Sequence, residues 1–84
     1  MPRVAINKKK YMLQDLYVWI SGKMSLKDMT QEDLGNALGI TQEGFFARLK
    51  GLKQGKDTFK HTDLAIVFKT LGATDEEILR FMKL

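Results

Sequence analysis

The stretch TQEDLGNALGITQEGFFARLKG, residues 30–51, constrains the fold more than any other part of the chain. Thr30 and Thr41 each precede a glutamine and an acid. This pattern is typical of a helix N-cap followed by acids at the positive end of the helix dipole. Gly39 lies between the two starts, and glycine adopts the left-handed backbone conformation that other residues resist. The stretch therefore predicts two short helices joined by a turn of about three residues, a helix-turn-helix.

The rest of the chain also predicts helices. Apolar residues recur at helical spacing in residues 9–21, with Gly22 as a stop signal. A further helix is expected over residues 61–71, ended by Gly72, and a last one over residues 74–83, which begins with capping-box spacing. No strand pattern is present. The predicted fold class is all-α, a compact bundle of four to five short helices.

Length and composition limit the function classes. The 84 residues suit one domain, which we divide into a basic flexible arm, residues 1–10, and a helical domain, residues 11–84. The chain has no cysteine and only one histidine, His61, so we expect no disulfide, no metal and no cofactor. No apolar run reaches the roughly 18 residues of a membrane span. We therefore expect a cytoplasmic protein without a membrane partner. No nucleophile-and-base constellation indicates an enzyme.

Two segments concentrate the positive charge. Residues 1–10 contain four basic residues and no acid, and residues 43–60 contain five basic residues against Glu43 and Asp57. The basic residues are Arg3, Lys8, Lys9 and Lys10 in the first segment, and Arg48, Lys50, Lys53, Lys56 and Lys60 in the second. Such clusters on a small domain suit a polyanion such as nucleic acid. The alternative is that they only keep the surface soluble.

The second helix of the helix-turn-helix has two different faces. We expect this helix to run from Thr41 to an end at Gly51. At about 100° per residue, Phe45 and Leu49 share one face, which suits a core contact. The residues on the opposite face and its flank are Gln42, Glu43, Phe46, Ala47 and Lys50. A polar face with a small residue at its centre allows a close approach to the floor of a DNA groove.

Residues 30–51 resemble the helix-turn-helix of the lambda repressor family, also called Cro/C1-type or XRE-type. The resemblance extends loosely to a basic N-terminal arm and two following helices. It implies a lambda repressor-like fold and a sequence-specific, double-stranded DNA-binding transcriptional regulator of phage or bacterial type. Such a protein is most simply a repressor, and it binds a palindromic operator as a dimer. Two departures are Gly35, where the family usually has alanine, and a longer stretch after Gly51.

The resemblance also assigns roles to residues. The expected base-reading residues are Gln42, Glu43, Phe46 and Ala47. Those expected to contact the DNA backbone are Gln31, Thr41, Arg48, Lys50, Lys53 and Lys56. The arm that wraps around the duplex comprises Arg3, Lys8, Lys9 and Lys10. Two of these residues have alternative positions. Phe46 also suits a half-buried position beside the core or contact with a protein partner. Arg48 also suits a position at the edge of the core.

The last helix is the expected dimer interface, through Ile78, Phe81 and Met82. Together with Leu79 these side chains span about 160° of the helix, more than the roughly 100° that one core contact needs. The alternative is that all of them close the core. A competing function also remains, namely a protein-interaction module on the same fold, such as an antitoxin or an anti-repressor. Phe46 and the apolar last helix favour it.

Overall fold

The computed structural model describes residues 8–82 of the chain, with the side chains of residues 10–81. This part of the chain forms five α-helices and no strand, so the all-α prediction is confirmed. The helices are α1 (Lys8–Leu26), α2 (Gln31–Leu38), α3 (Gln42–Lys53), α4 (His61–Leu71) and α5 (Asp75–Met82). α1 packs against α3 and α4, and α2 packs against the same two helices.

The core is built from the inner faces of all five helices. It is closed by Phe59, which precedes α4 and meets the Phe45 ring edge-to-face with centroids 5.9 Å apart. The buried apolar residues are Leu13, Leu16, Ile20, Met24, Leu34, Phe45, Leu49, Leu52, Phe59, Leu64, Val67, Phe68, Leu71 and Phe81. Among the described side chains, no buried polar atom lacks a hydrogen-bond partner.

α1 is longer than predicted at its C-terminal end. The prediction that Gly22 stops this helix is wrong, because α1 continues to Leu26 and brings Met24 into the core. Asp28, two residues after the end of the helix, terminates it instead, with a φ of 54° in the left-handed region. The N–H of Met29 bonds to the carbonyl of Met24 at 2.9 Å, and the N–H of Asp28 bonds to that of Ser25 at 3.2 Å. These two bonds define a Schellman motif.

α5 is held on α1 by aromatic and polar contacts. The Trp19 ring meets Phe68 edge-to-face at 5.4 Å and lies 6.0 Å from Phe81, so Trp19 covers the edge of the core as its place on the wheel suggests. Its indole N–H donates a hydrogen bond to Glu77. Glu77 also accepts from the N–H of Thr74, while the Thr74 hydroxyl accepts from the N–H of Glu77. The predicted capping box is therefore present.

The predicted dimer contact at Phe81 is wrong. Phe81 is only 1% exposed and stacks on Phe68, so it belongs to the core of its own chain. Ile78 is partly buried and packs against the same core. The side chain of Met82 lies outside the described residues. Phe81 fills a corner between Trp19 and Phe68, which a helical wheel does not reveal, whereas Leu79 of the same apolar arc is 65% exposed.

We predict that Asp28→Gly stabilises the protein. Glycine removes a left-handed strain of about 1–2 kcal/mol and loses about 0.5–1 kcal/mol through its greater chain entropy. The net gain of about 0.5–1 kcal/mol should raise the melting temperature by a few degrees in a domain of this size. Thermal unfolding followed by circular dichroism measures it. Ser25→Gly, in the last turn of the same helix, is the control and should lower the melting temperature. An equal fall in melting temperature in both variants would contradict the claim that Asp28 is strained.

The Glu77 contacts make stability depend on pH. The pKa of the Glu77 carboxyl is lowered from its ordinary value of 4.5, first because the backbone N–H of Thr74 donates to it and then because the Trp19 indole does. The Lys23 ammonium, 3.8 Å away, acts in the same direction. Because the pKa of Glu77 is lower in the folded protein than in the unfolded chain, the ionised carboxylate stabilises the fold, and this stabilisation is fully present above pH 4.5. It is lost as the pH falls through the folded-state value.

We predict that Glu77→Gln costs more stability at neutral pH than in acid. Glutamine keeps the shape of the side chain but removes the charge whose pKa the fold lowers. Urea unfolding of the variant and the wild type at about pH 7 and about pH 3 gives the difference in free energy of unfolding at each pH. Glu76→Gln, at the exposed neighbouring position, is the control. A gap between wild type and Glu77→Gln that stays constant with pH would contradict the prediction.

Candidate nucleic-acid interface

Three residues, 39–41, join α2 to α3, and each end of this turn has its own cap. Thr30 caps α2 through a capping box with Asp33, in which the Thr30 hydroxyl accepts from the Asp33 N–H at 3.1 Å. Gly39 ends α2 with a φ of 74°. Thr41 caps α3, its hydroxyl accepting from the N–H of Gly44 at 3.0 Å. The two helix starts and the glycine turn are all where the sequence predicts them.

Gly35 allows the turn to pack tightly on α2. It is buried, and a Cβ built on it would lie 3.0 Å from the carbonyl oxygen of Thr41 and 3.1 Å from that of Ile40. The N–H of Ile40 bonds to the Gly35 carbonyl at 2.9 Å. The chain therefore comes closer to α2 than an alanine would allow without a shift of the backbone. This explains the departure at position 35.

α3 presents its two faces as predicted. Phe45, Leu49 and Leu52 point into the core, and the opposite side is exposed. We call this exposed side the α3 outer face; it comprises Gln42, Glu43, Phe46, Ala47, Lys50 and Lys53. Phe46 is 51% exposed, so about half of its surface is covered, as the half-buried alternative expects, and the other half faces solvent. The outer face carries a carboxamide, a carboxylate, a phenyl ring, a methyl group and two ammonium groups in two columns.

The C-terminal half of α3 borders a groove beside α1. Its volume is about 420 Å³, and its walls include the rings of Tyr17 and Phe46. Leu49 forms an apolar part of its lining, and the polar lining residues are Gln31, Lys50, Lys53 and Gln54. Gln31, at the start of α2, therefore lies beside Phe46 and Lys50. The resemblance of residues 30–51 implies that Gln31 braces the base-reading Gln42, but no hydrogen bond joins these two described side chains.

α3 is longer than predicted, and Gly51 does not end it. The helix continues to Lys53, and Gly51 is buried beneath Thr58, whose methyl group would collide with any Cβ at this position. The Thr58 hydroxyl donates a hydrogen bond to the carbonyl of Arg48. The loop before α4 thus lies directly on α3. Lys53, which the predicted end at Gly51 would leave outside the helix, consequently lies in the last turn of α3 together with Lys50.

The far end of α3 is fastened to α1. The amide nitrogen of Gln14 donates to the carbonyl of Lys53 at 3.2 Å, which satisfies a helix-end acceptor. The Lys53 ammonium lies 5.9 Å from the centre of the Tyr17 ring, a cation–π distance. Lys53 remains exposed, so its charge still faces solvent.

Arg48 does not join the outer face, and its assignment to the DNA backbone is corrected. Its guanidinium lies 2.7 Å from the Asp63 carboxylate, and both side chains are partly buried. Asp63 also accepts from the backbone N–H of Lys60 at 3.4 Å. The arginine therefore ties α3 to the start of α4. Arg48 thus lies beside the core as the alternative has it, but its guanidinium pairs with Asp63 instead of facing water.

The remaining basic residues lie around the C-terminal end of α3 or outside the described part. Lys56 is exposed in the loop after α3, and the stem of Lys10 lies against Gly55 of that loop. Lys8, Lys9 and Lys10 form the first turn of α1. The prediction that a flexible arm extends to residue 10 is therefore wrong. Arg3 lies outside the described residues. Thr41 is exposed, but its hydroxyl caps α3.

Some members of this surface were not identified from the sequence. Tyr17 follows the helical spacing of the apolar residues that face the core in α1, yet its ring lines the groove and lies beneath the Lys53 ammonium. Gln54 was not singled out either, although it lines the same groove. A signal existed for Tyr17, because an amphipathic ring at the edge of an apolar stripe often exposes its polar end. No local sequence pattern predicts that the loop after α3 approaches Lys10.

Other kinds of site find no support in the described residues. Within this part of the chain no group of three or more metal-ligating side chains is close enough to hold an ion. Among the same residues, no helix is long and apolar enough to cross a membrane. Comparisons with protein-family models, with curated proteins and with solved structures found no match to this chain.

We predict that Gly35→Ala destabilises the protein through the turn. The added methyl group would press on two backbone carbonyl oxygens, and overpacking of this kind costs about 1–3 kcal/mol. Helix propensity alone would give the opposite sign, because alanine is better than glycine by about 1 kcal/mol. Chemical denaturation measures the change, with Asn36→Ala at the exposed next position as the control. A stabilised Gly35→Ala protein would show that the turn relaxes without strain.

Proposed function

We propose that this protein is a sequence-specific double-stranded DNA-binding transcriptional regulator with a lambda repressor-like helix-turn-helix. It is most simply a repressor of phage or bacterial type that binds a palindromic operator as a dimer in the cytoplasm. The observation that carries the proposal is the α3 outer face, an exposed helix surface of polar and basic side chains on a rigidly capped helix-turn-helix. An α-helix fits the major groove of B-DNA, which is about 12 Å wide.

The N-terminal half of this face suits the reading of base edges. Gln42 is the first residue of α3, the end that reaches the bases in helix-turn-helix docking. A glutamine bonds adenine through both atoms of its amide, and a carboxylate such as Glu43 accepts from cytosine. Ala47 and Phe46 offer apolar contact to a thymine methyl group. These four residues would supply the discrimination between sequences.

The C-terminal half suits the phosphate backbone. Lys50, Lys53 and Lys56 are exposed on or just after α3, and Lys10 lies against the same loop. Gln31, in the first turn of α2, offers an amide beside them. Such groups position a protein on the duplex without reading its sequence, and they release counterions. Binding should therefore weaken strongly as salt is added.

A protein-interaction module is the second candidate. It is favoured by the groove between Tyr17 and Phe46, because a partly buried ring and an exposed ring beside apolar Leu49 also suit a peptide side chain. The two functions differ in their response to salt and sequence. Titration of the full chain with mixed genomic DNA at low and high salt, followed by selection of bound duplexes from a random pool, separates them. A palindromic consensus supports the regulator, and the absence of any salt-sensitive binding favours the module.

We predict that Gln42→Ala lowers affinity for the selected site by about 1–3 kcal/mol, or roughly 5- to 150-fold, and affects random DNA little. The physical reason is the loss of two hydrogen bonds to one base. Fluorescence anisotropy on the selected and the scrambled duplex measures both affinities. Gln54→Ala, a glutamine at the other end of the same helix, is the matched control and should lose little discrimination. Equal losses on the two duplexes would show that Gln42 does not read bases.

A further inference from the structure

α1 carries a second stripe on the side that faces away from the core. Its apolar members are Tyr11, Val18 and Leu26, which are 59%, 65% and 80% exposed. We call this surface the α1 outer stripe; it comprises Tyr11, Asp15, Val18, Gly22 and Leu26. At about 100° per residue these positions fall within about 80° of one another, so they form one straight row along the helix.

The stripe is open and allows a close approach. All five residues are exposed, and a Cβ built on Gly22 would meet no atom within 4 Å. The core residues Leu13, Leu16 and Ile20 lie on the opposite side of the helix. Helices that pack with a small residue at the contact come as close as about 8 Å. The three apolar members of the stripe are aligned along one face instead of being scattered singly over the surface, and an aligned row of this kind suits contact with another helix.

Four members of the stripe are symmetric about a point between residues 18 and 19, and the fifth, Val18, lies next to that point. If a second α1 lies antiparallel across this point, Tyr11 of one chain faces Leu26 of the other, and Asp15 faces Gly22. Asp15 is not an unbalanced charge in this surface, because its carboxylate already lies 3.4 Å from the Arg80 guanidinium of its own chain. Two-fold interfaces require this kind of self-complementarity. We propose that the α1 outer stripe is the surface through which a second copy of this chain binds.

The positions of α3 and α5 around α1 agree with this pairing, in an argument that rests on the proposed function. Gln14 and Tyr17, which contact the end of α3, lie on one side of the stripe. Trp19, which contacts α5, lies on the other. The two-fold axis of an antiparallel helix pair is perpendicular to the plane of the two helices. Rotation about it keeps both copies of α3 on one side of the dimer, as binding to one face of a duplex requires.

The contact is small, which determines how the dimer behaves. α1 has 19 residues, so one of its faces offers much less surface than the roughly 1,200–2,000 Å² of a stable complex. The dimer is accordingly weak in free solution and is strengthened by DNA, because the second half-site is bound at high effective concentration.

The absence of cysteine from the chain makes a cross-linking test clean. Val18 lies next to the proposed axis, so two Val18→Cys side chains would approach within the roughly 4.4–6.8 Å between Cα atoms that a disulfide bridges. Leu79→Cys is the matched control, because Leu79 is also 65% exposed but lies on α5. Under mild oxidation of the full chain, we expect Val18→Cys to form linked dimers about tenfold faster than Leu79→Cys. Equal rates, or a faster Leu79→Cys, overturn the proposal.

A second variant measures the interface without a cross-link. Val18→Glu should weaken self-association in sedimentation by about tenfold for each copy, because each loses a buried apolar side chain. An unchanged melting temperature in dilute solution shows that the fold is intact. If the wild type self-associates and Val18→Glu self-associates equally well, the α1 outer stripe is not the interface.

DNA binding separates this inference from the proposed function. Binding to a duplex with one half-site needs no dimer, so it tests the function alone. If Val18→Cys cross-links quickly but no salt-sensitive DNA binding is found, the interface stands and the proposed function fails. If half-site binding is found but the wild type stays monomeric on a full palindromic site, the function stands and the interface fails.

Discussion

Burial of the inner face of α1 is the interaction on which the rest of this small protein depends. Leu16 and Ile20 are fully buried, and they lie where α1 crosses α3 and α4. The other helices have only 8 to 12 residues, and isolated helices of that length are marginal in water. They persist because α3 and α4 pack against the apolar face of α1, and α2 in turn packs against α3 and α4. Any change that tilts or shortens α1 would therefore also displace α3 and its outer face.

The sequence predicts the helix starts better than the helix ends. A threonine followed by acids satisfies free N–H groups through local contacts, so Thr30, Thr41 and Thr74 are found at the predicted starts. A glycine is ambiguous, because it ends a helix only where the chain needs a positive φ. Gly39 and Gly72 meet that need. Gly22 is merely tolerated on an exposed face, and Gly51 is required by the close approach of Thr58.

In the candidate site, too, features set by the local sequence can be predicted, and features set by distant contacts cannot. The faces of α3 follow from helical periodicity, so the exposure of Gln42, Glu43 and Ala47 could be predicted without a structure. The pairing of Arg48 with Asp63 could not, because it depends on the path of the loop between α3 and α4. The burial of Phe81 depends likewise on where Trp19 and Phe68 meet. The sequence thus shows on which face of a helix a side chain lies, but it does not show which distant side chain that residue contacts.

The contacts that hold α3 bear on the proposed reading of DNA. Specific recognition requires side chains held near their final geometry, because freedom lost on binding subtracts from affinity. Thr41 holds the first turn of α3, Thr58 and Arg48 its middle, and Gln14 its end. None of these contacts uses an outer-face side chain from the N-terminal half, so Gln42, Glu43 and Ala47 remain exposed and available. The residues that fix the helix and those that would read bases are therefore separate sets, and changes in the second set can alter specificity without loosening the fold.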